Sequence, residues 1–187
     1  DVANVNPNPA RFDQKKADAI NASHIRLLEP ADFKARLIPY LQSAGVLGSS
    51  VSDAESAILD EAAPLVQERI TVLSEAPDML DFLFKTADQI SIADDARAGL
   101  PENAAEIAVA AAAKLDTVSD ADFKTEHIQS VLNALLIEQM ELKPRVAFGP
   151  LRTAISGRRI SPPLFESMQI LGKAETIARL KSFAAAA

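Results

Sequence analysis

The chain has no cysteine and no tryptophan, one tyrosine and two histidines among its 187 residues. Without cysteine, disulfides and thiolate metal sites are excluded, and a reducing cytoplasm is the expected location. His24 and His127 stand far apart, and no His-x-Glu or His-Glu-x-x-His spacing accompanies either. No glycine-rich phosphate loop occurs, and the six glycines are scattered. No apolar run reaches the roughly 18 residues that a membrane span needs, so no membrane partner is expected. No segment alternates convincingly with period two, which argues against strands. An initiating methionine is missing too, and the opening DVANVNPNPARFD reads as a fragment of a longer polypeptide, with a processed N-terminus as the alternative. With no nucleophile, metal-ligand set or phosphate loop, the residues describe a binding module rather than a free-standing enzyme. Asp94-Asp95 is the one acidic pair that invites a divalent ion, and a structural turn is the simpler reading.

What is present is helical. Apolar residues make up 48% of the chain and charged residues 24%, and the pattern predicts an all-α fold. Asn4 to Pro9 reads as a linker. Asp13 is expected to cap a helix over 14–22, Pro30 to open the next, and Gly45 to stop it, with Pro39 kinking or breaking it. Ser52-Asp-Ala-Glu55 has the form of a capping box. Pro64 is expected to bend the chain into a separate helix holding Val66, Arg69 and Ile70, and Ser74 to cap the one after. A polar stretch over 88–101 suggests a boundary between two consecutive helical subdomains, 1–93 and 94–187. Pro101 is expected to open an alanine-rich helix whose stripe of Ala104, Ala108, Ala111 and Ala112 allows close helix contact. Thr125 is expected to cap the clearest helix, with Ile128, Val131, Leu132, Leu135, Leu136 and Met140 along one face. Pro150 then begins a short helix ended by Gly157. Ser161 caps another, with Pro162 at its first position and Gly172 past its end. A last helix buries Ile177 and Leu180 and turns Arg179 and Lys181 outward.

The charge is segregated. Lys143 to Lys181 holds eight basic residues (Lys143, Arg145, Arg152, Arg158, Arg159, Lys173, Arg179, Lys181) against Glu166 and Glu175, a local balance of +6. The whole chain is −7, so the remainder carries −13. A cationic end on an acidic chain suggests an anionic partner for one face. Arginine both neutralises phosphate and reads base edges by forked hydrogen bonds, and a single-stranded RNA loop is where such readout is practical. The competing reading is a helical scaffold whose basic end docks an acidic protein, with Arg158-Arg159 a solvated turn.

Three stretches decide between these: RFDQKKADAINASHIR near the start, ERITVLSEAPDMLDFLF in the middle and LKPRVAFGPLRTAISGRRISPPLFESMQILGKAETIARL at the end. In order and spacing they resemble the C-terminal, anticodon-binding part of bacterial glutamyl-tRNA synthetases, with an actinobacterial flavour in GRRISPPLFESMQILGK. The resemblance implies a two-part helical cage following a catalytic domain that lies upstream. On it, the partner is tRNA(Glu), with no DNA, and the protein is a monomer. ATP and magnesium would belong to the catalytic domain, with no cofactor in this part, so the fragment alone should not aminoacylate. By position, Arg152 matches the arginine that contacts the first anticodon base, and Ser161, Pro162 and Leu164 match the loop that cradles it. Pro163 stands where relatives often carry glycine, which stiffens that loop. Arg69 matches an arginine that reads the third anticodon base and helps reject tRNA(Gln). Lys15, Lys16, Arg26, Arg145, Arg158, Arg159 and Lys173 are candidate contacts to the tRNA backbone.

Overall fold

A computed structural model describes residues 13–186; the linker expected at Asn4 to Pro9 lies outside them. Among the described residues there are helices, turns and loops and no strand. The all-α expectation is met.

Helix α1 (Gln14–Arg26) starts where Asp13 accepts the Lys16 N–H at 3.2 Å, and it runs past Ala22 to take in His24. Helix α2 (Pro30–Ser43) has Pro30 in its first turn and ends before Gly45, whose φ of 71° only glycine adopts freely. Pro39 does not break it. Pro39 and Ala35, whose carbonyl loses its helical donor, both lie on the exposed face, where water can replace the bond. Helix α3 (Asp53–Gln67) opens on the expected capping box, the Ser52 N–H donating to Glu55 Oε2 at 2.8 Å. It likewise continues through exposed Pro64, so no separate helix begins there. Arg69 therefore stands in the turn after α3, not within a helix.

Ser74 is not a helix cap. It sits inside a 3-10 turn, Leu73–Glu75, that leads into α4 (Ala76–Leu80). The Glu75 carboxylate satisfies this bend by accepting the Thr71 N–H at 2.7 Å and the Thr71 hydroxyl at 2.8 Å. Two further 3-10 turns, Asp81–Phe84 and Ala87–Gln89, precede α5 (Asp94–Ala98). Helix α6 (Ala104–Asp116) starts three residues after Pro101, which only receives the Ala104 N–H in the entering turn. Its small residues Ala104, Ala108, Ala111 and Ala112 are buried, and α9 packs closely against α6.

Helix α7 (Thr125–Asn133) has Lys124 at its N-cap, while the Thr125 N–H and hydroxyl are held by the Gln169 side chain at 2.7 and 3.1 Å. It widens into a π-helical turn, Ala134–Gln139. That turn shifts the apolar stripe: Ile128, Leu132 and Leu136 are buried, and Val131, Leu135 and Met140 are half-buried. Helix α8 (Pro144–Ser156) begins at Pro144 and passes through Pro150, which is buried rather than initiating. Gly157 ends it in the left-handed region. Helix α9 (Leu164–Ala186) starts three residues after Ser161 and bends at Gly172, where φ is 77° and ψ 167°. The expected pause at Gly172 is present, and the expected Ser161 cap is not. The carbonyl of Pro163 accepts the Ser167 N–H at 3.1 Å and closes the first turn instead.

One contiguous core runs from Ile25 on α1 to Phe183 on α9, and α9 packs against α6, α7, α8 and α3. The largest departure from sequence expectation lies there. Arg179, expected outward, is 1% exposed. Its Nη1 donates to the Ile155 carbonyl at 2.6 Å, and its Nη2 to the carbonyls of Phe82 (3.0 Å) and Lys85. Its Nε pairs with Glu175 Oε1 at 2.8 Å. Helical periodicity cannot show this, because a buried arginine is tolerable only where backbone acceptors from distant segments converge on it. Burial pulls its pKa below the usual arginine value, partly opposed by Glu175. Arg179→Met should remove the shared donor of three carbonyls and cost about 3 kcal/mol in chemical denaturation. An unchanged unfolding midpoint would show that these carbonyls find other partners.

Candidate nucleic-acid interface

The site is built where α8 turns into α9. Arg152 projects from α8 near its end, half-buried, and the returning chain supplies its acceptors. Its Nη1 donates to Ser161 Oγ at 2.9 Å, to the Pro162 carbonyl at 2.9 Å and to the Ser161 carbonyl at 3.4 Å. Among the described residues, Nη2 and Nε of Arg152 have no acceptor, so half of the fork is free for a ligand. Burial lowers the Arg152 pKa most, the charge of Arg69 adds to the lowering, and Glu166 opposes it. The structure thus brings Arg69 within electrostatic reach of Arg152, although they are far apart in sequence.

Ser161 and Pro162 are buried, and Leu164 is 5% exposed as part of the core beneath the turn. The turn is therefore a packed shelf for Arg152. Gly157, just before it, is indispensable. A Cβ there would overlap the Ser91 carbonyl oxygen, and the Gly157 carbonyl accepts the Ala93 N–H at 2.9 Å.

Beside the shelf lies a cavity of about 330 Å³ between α8 and the α5 region. Arg145, Arg152 and Arg159 line it with Phe148, Gly149 and Leu100. Arg145, Phe148 and Arg152 recur at helical spacing along one face of α8, so a sequence count alone could have grouped them. Phe148, which sequence reasoning passed over, is fixed edge-to-face on Phe165 at 5.4 Å between ring centres. Cationic forks and an immobilised aromatic ring around one cavity suit an unstacked nucleobase with its phosphate.

The remaining predicted cations are distributed differently. Arg158 pairs with Asp81 at 3.2 Å and Asp78 at 3.8 Å. Lys173 Nζ donates to the Asp116 carbonyl at 2.9 Å and so closes the end of α6. Arg26 pairs with Glu68 at 3.2 Å on the turn that carries Arg69, while Lys15 and Lys16 are exposed on α1. The Arg69 turn is braced by buried Ile70, by Thr71–Glu75 and by the Asn21 side chain, which donates to the Thr71 carbonyl at 2.5 Å. Among the described residues, no group of three or more His, Cys, Asp or Glu could hold a metal ion, and no helix is long and apolar enough to cross a membrane.

The Thr71 bonds, led by its N–H, hold the Glu75 pKa below the usual glutamate value. Because the folded pKa is depressed, the brace is fully present above the unfolded glutamate pKa and is lost as pH falls through the folded one. Glu75→Gln should therefore destabilise by on the order of 0.5 kcal/mol at neutral pH, discounted for exposure, and the difference should vanish in acid. Thermal melting of both proteins across that range measures it.

Comparison with known proteins adds to this geometry. Residues 32–184 match the model of a family described as anticodon binding domain. The chain is 60% identical over 183 residues to a glutamate–tRNA ligase of Arthrobacter sp. (strain FB24), covering 98% of the chain and 36% of that relative. It is 58% identical over 186 residues to the glutamate–tRNA ligase of Leifsonia xyli subsp. xyli (strain CTCB07), covering 38% of it. The chain thus spans little more than a third of the length of these curated relatives. Among solved structures, a glutamate tRNA ligase from Elizabethkingia meningosepticum superposes over 99% of this chain and 35% of its own, with a TM-score of 0.76 and 22% identity. At that identity the superposition speaks for the fold.

Proposed function

The chain belongs to the anticodon binding domain family, and from that premise we propose that it reads the anticodon of tRNA(Glu) as part of a cytoplasmic, monomeric glutamate–tRNA ligase. The observation that carries this reading is the half-engaged Arg152 fork, fixed by Ser161 and Pro162 at the mouth of a cavity that also gathers Arg145, Arg159 and Phe148. The first anticodon base would enter beside Arg152 and stack near Phe148. Arg69, on its braced turn, would read the third base and favour tRNA(Glu) over tRNA(Gln). Leu164, buried under the shelf, would act by supporting Ser161 and Pro162.

Backbone positioning falls to Arg145, Arg159, Lys15 and Lys16, which are exposed, with Arg26 and Lys173 contributing from their protein contacts. Such contacts set register and carry no sequence information. The division at 93/94 separates the part that carries Arg69 from the part that carries Arg152. Attachment of glutamate, with its ATP and magnesium, belongs to the length of the relatives beyond this chain.

In the full-length ligase, Arg152→Ala should cost about 1–3 kcal/mol in efficiency toward tRNA(Glu) and relax selectivity at one anticodon base. Steady-state kinetics on tRNA(Glu) and on transcripts altered at each anticodon position provide the measurement. Unchanged efficiency and selectivity would sink the assignment. If bulk tRNA competes as well as tRNA(Glu), the scaffold reading regains ground.

A further inference from the structure

Two turns do the reading proposed above, and the chain must hold them at a fixed separation. Among the described residues, the ion pairs that cross between residues 1–93 and 94–187 are both made by Arg158. Its Nη2 lies 3.2 Å from Asp81 Oδ2 and 3.8 Å from Asp78 Oδ1. Asp81 ends α4, the short helix that follows the Arg69 turn, and its side chain is only 14% exposed. Lys85 Nζ approaches the same Oδ2 at 2.7 Å, while Oδ1 is buried with no hydrogen-bond partner among the described residues. Leaving that oxygen unpartnered costs stability, and the two cations on Oδ2 offset part of that cost.

The link to Arg152 is equally short. The Arg158 N–H donates to Ser156 Oγ at 3.2 Å, and Ser156 Oγ donates to the Arg152 carbonyl at 2.9 Å. Gly157 lies against Ser91, and Arg179 ties Ile155 to Phe82 and Lys85, so the backbone beneath the pair is fixed on both sides. An arginine with two roles in sequence reasoning (solvated turn, phosphate contact) is here engaged by two carboxylates.

We propose that Asp81 and Arg158 are positioning residues, a latch that fixes the α8–α9 turn carrying Arg152 relative to the turn carrying Arg69. The proposal rests on the reading of those two arginines as base readers. On this view Arg158 does not neutralise an RNA phosphate, and its effect on recognition travels through the spacing of the two readers.

The test uses the full-length protein. Asp81→Asn removes the latch and leaves Arg158 its charge. The latch predicts roughly threefold to tenfold weaker tRNA(Glu) binding, with discrimination reduced at both the first and third anticodon bases. The salt dependence of binding should stay as in the parent. If Arg158 contacted phosphate, Asp81→Asn would bind as well as the parent or better, and Arg158→Met would reduce the salt slope by about one; either result overturns the latch. A readout free of tRNA uses spin labels on Ser74→Cys and Ile160→Cys, both exposed positions, after any cysteine outside these 187 residues has been replaced by serine. Asp81→Asn should broaden the distance distribution, and an unchanged distribution would refute the latch whatever the binding data show. Arg152→Ala measured alongside separates the two ideas. If it leaves selectivity intact while Asp81→Asn broadens the distances, the reading of Arg152 has failed and the mechanical tie has not.

Discussion

A guanidinium sealed under three backbone carbonyls ties the end of α8 to the chain after α4. Arg179 takes the Ile155 carbonyl from the end of α8, and the Phe82 and Lys85 carbonyls from the chain after α4. Each of these carbonyls lies near the end of a helical or 3-10 turn, and the Phe82 carbonyl accepts the Lys85 N–H as well. Glu175, one turn earlier on α9, balances the charge. The arrangement makes α9 the common support of both halves. It also explains why the α8–α9 turn can be tight without being loose: its foundations are tied before the turn begins.

On that foundation the shelf at Ser161-Pro162 does a limited task. It spends one nitrogen of Arg152 on three protein acceptors and leaves the rest of the fork uncommitted. A side chain held in this way has already lost most of its conformational freedom, so less is lost on meeting a ligand. Burial and the nearby Arg69 both make the Arg152 charge less comfortable, and an incoming phosphate or base acceptor relieves both. The same features that cost the free protein something therefore favour the complex.

Helix starts and stops that depend on local chemistry were legible in the sequence. Asp13, Pro30, Gly45, the Ser52–Glu55 box and the break at Gly172 all act where local rules place them. Prolines were misjudged in a consistent way. Pro39 read as a kink or a break and Pro64 as a bend into a new helix, yet each sits on an exposed face where water can reach the freed carbonyl, and the helix runs on. Ser161 had the spelling of a cap, but its hydroxyl is taken by Arg152, a partner that only the folded turn supplies. Arg179 was the deepest miss, because its environment is made by Phe82, Lys85 and Ile155, which no periodicity within α9 can reveal. Residue type and spacing made Arg152 and Arg69 visible through family resemblance, and the fold then placed them near each other.

The local balance of +6 also changes meaning once the chain is folded. Arg179 faces carbonyls in the core, Arg158 is matched by Asp81 and Asp78, and Lys173 closes the end of α6. What remains toward the cavity is Arg145, Arg152 and Arg159, with Glu166 the acid that bears on Arg152. Counting charges along the sequence overstates the field and blurs its aim, because a cation engaged by the protein attracts an anion weakly. The opposite error follows from the net −7, which suggests that the chain repels RNA altogether. Screening over about 10 Å at moderate salt makes distant acids count for little at the cavity mouth. Three arginines around one aromatic ring then dominate what an approaching loop meets, and the acidic remainder discourages binding elsewhere on the surface.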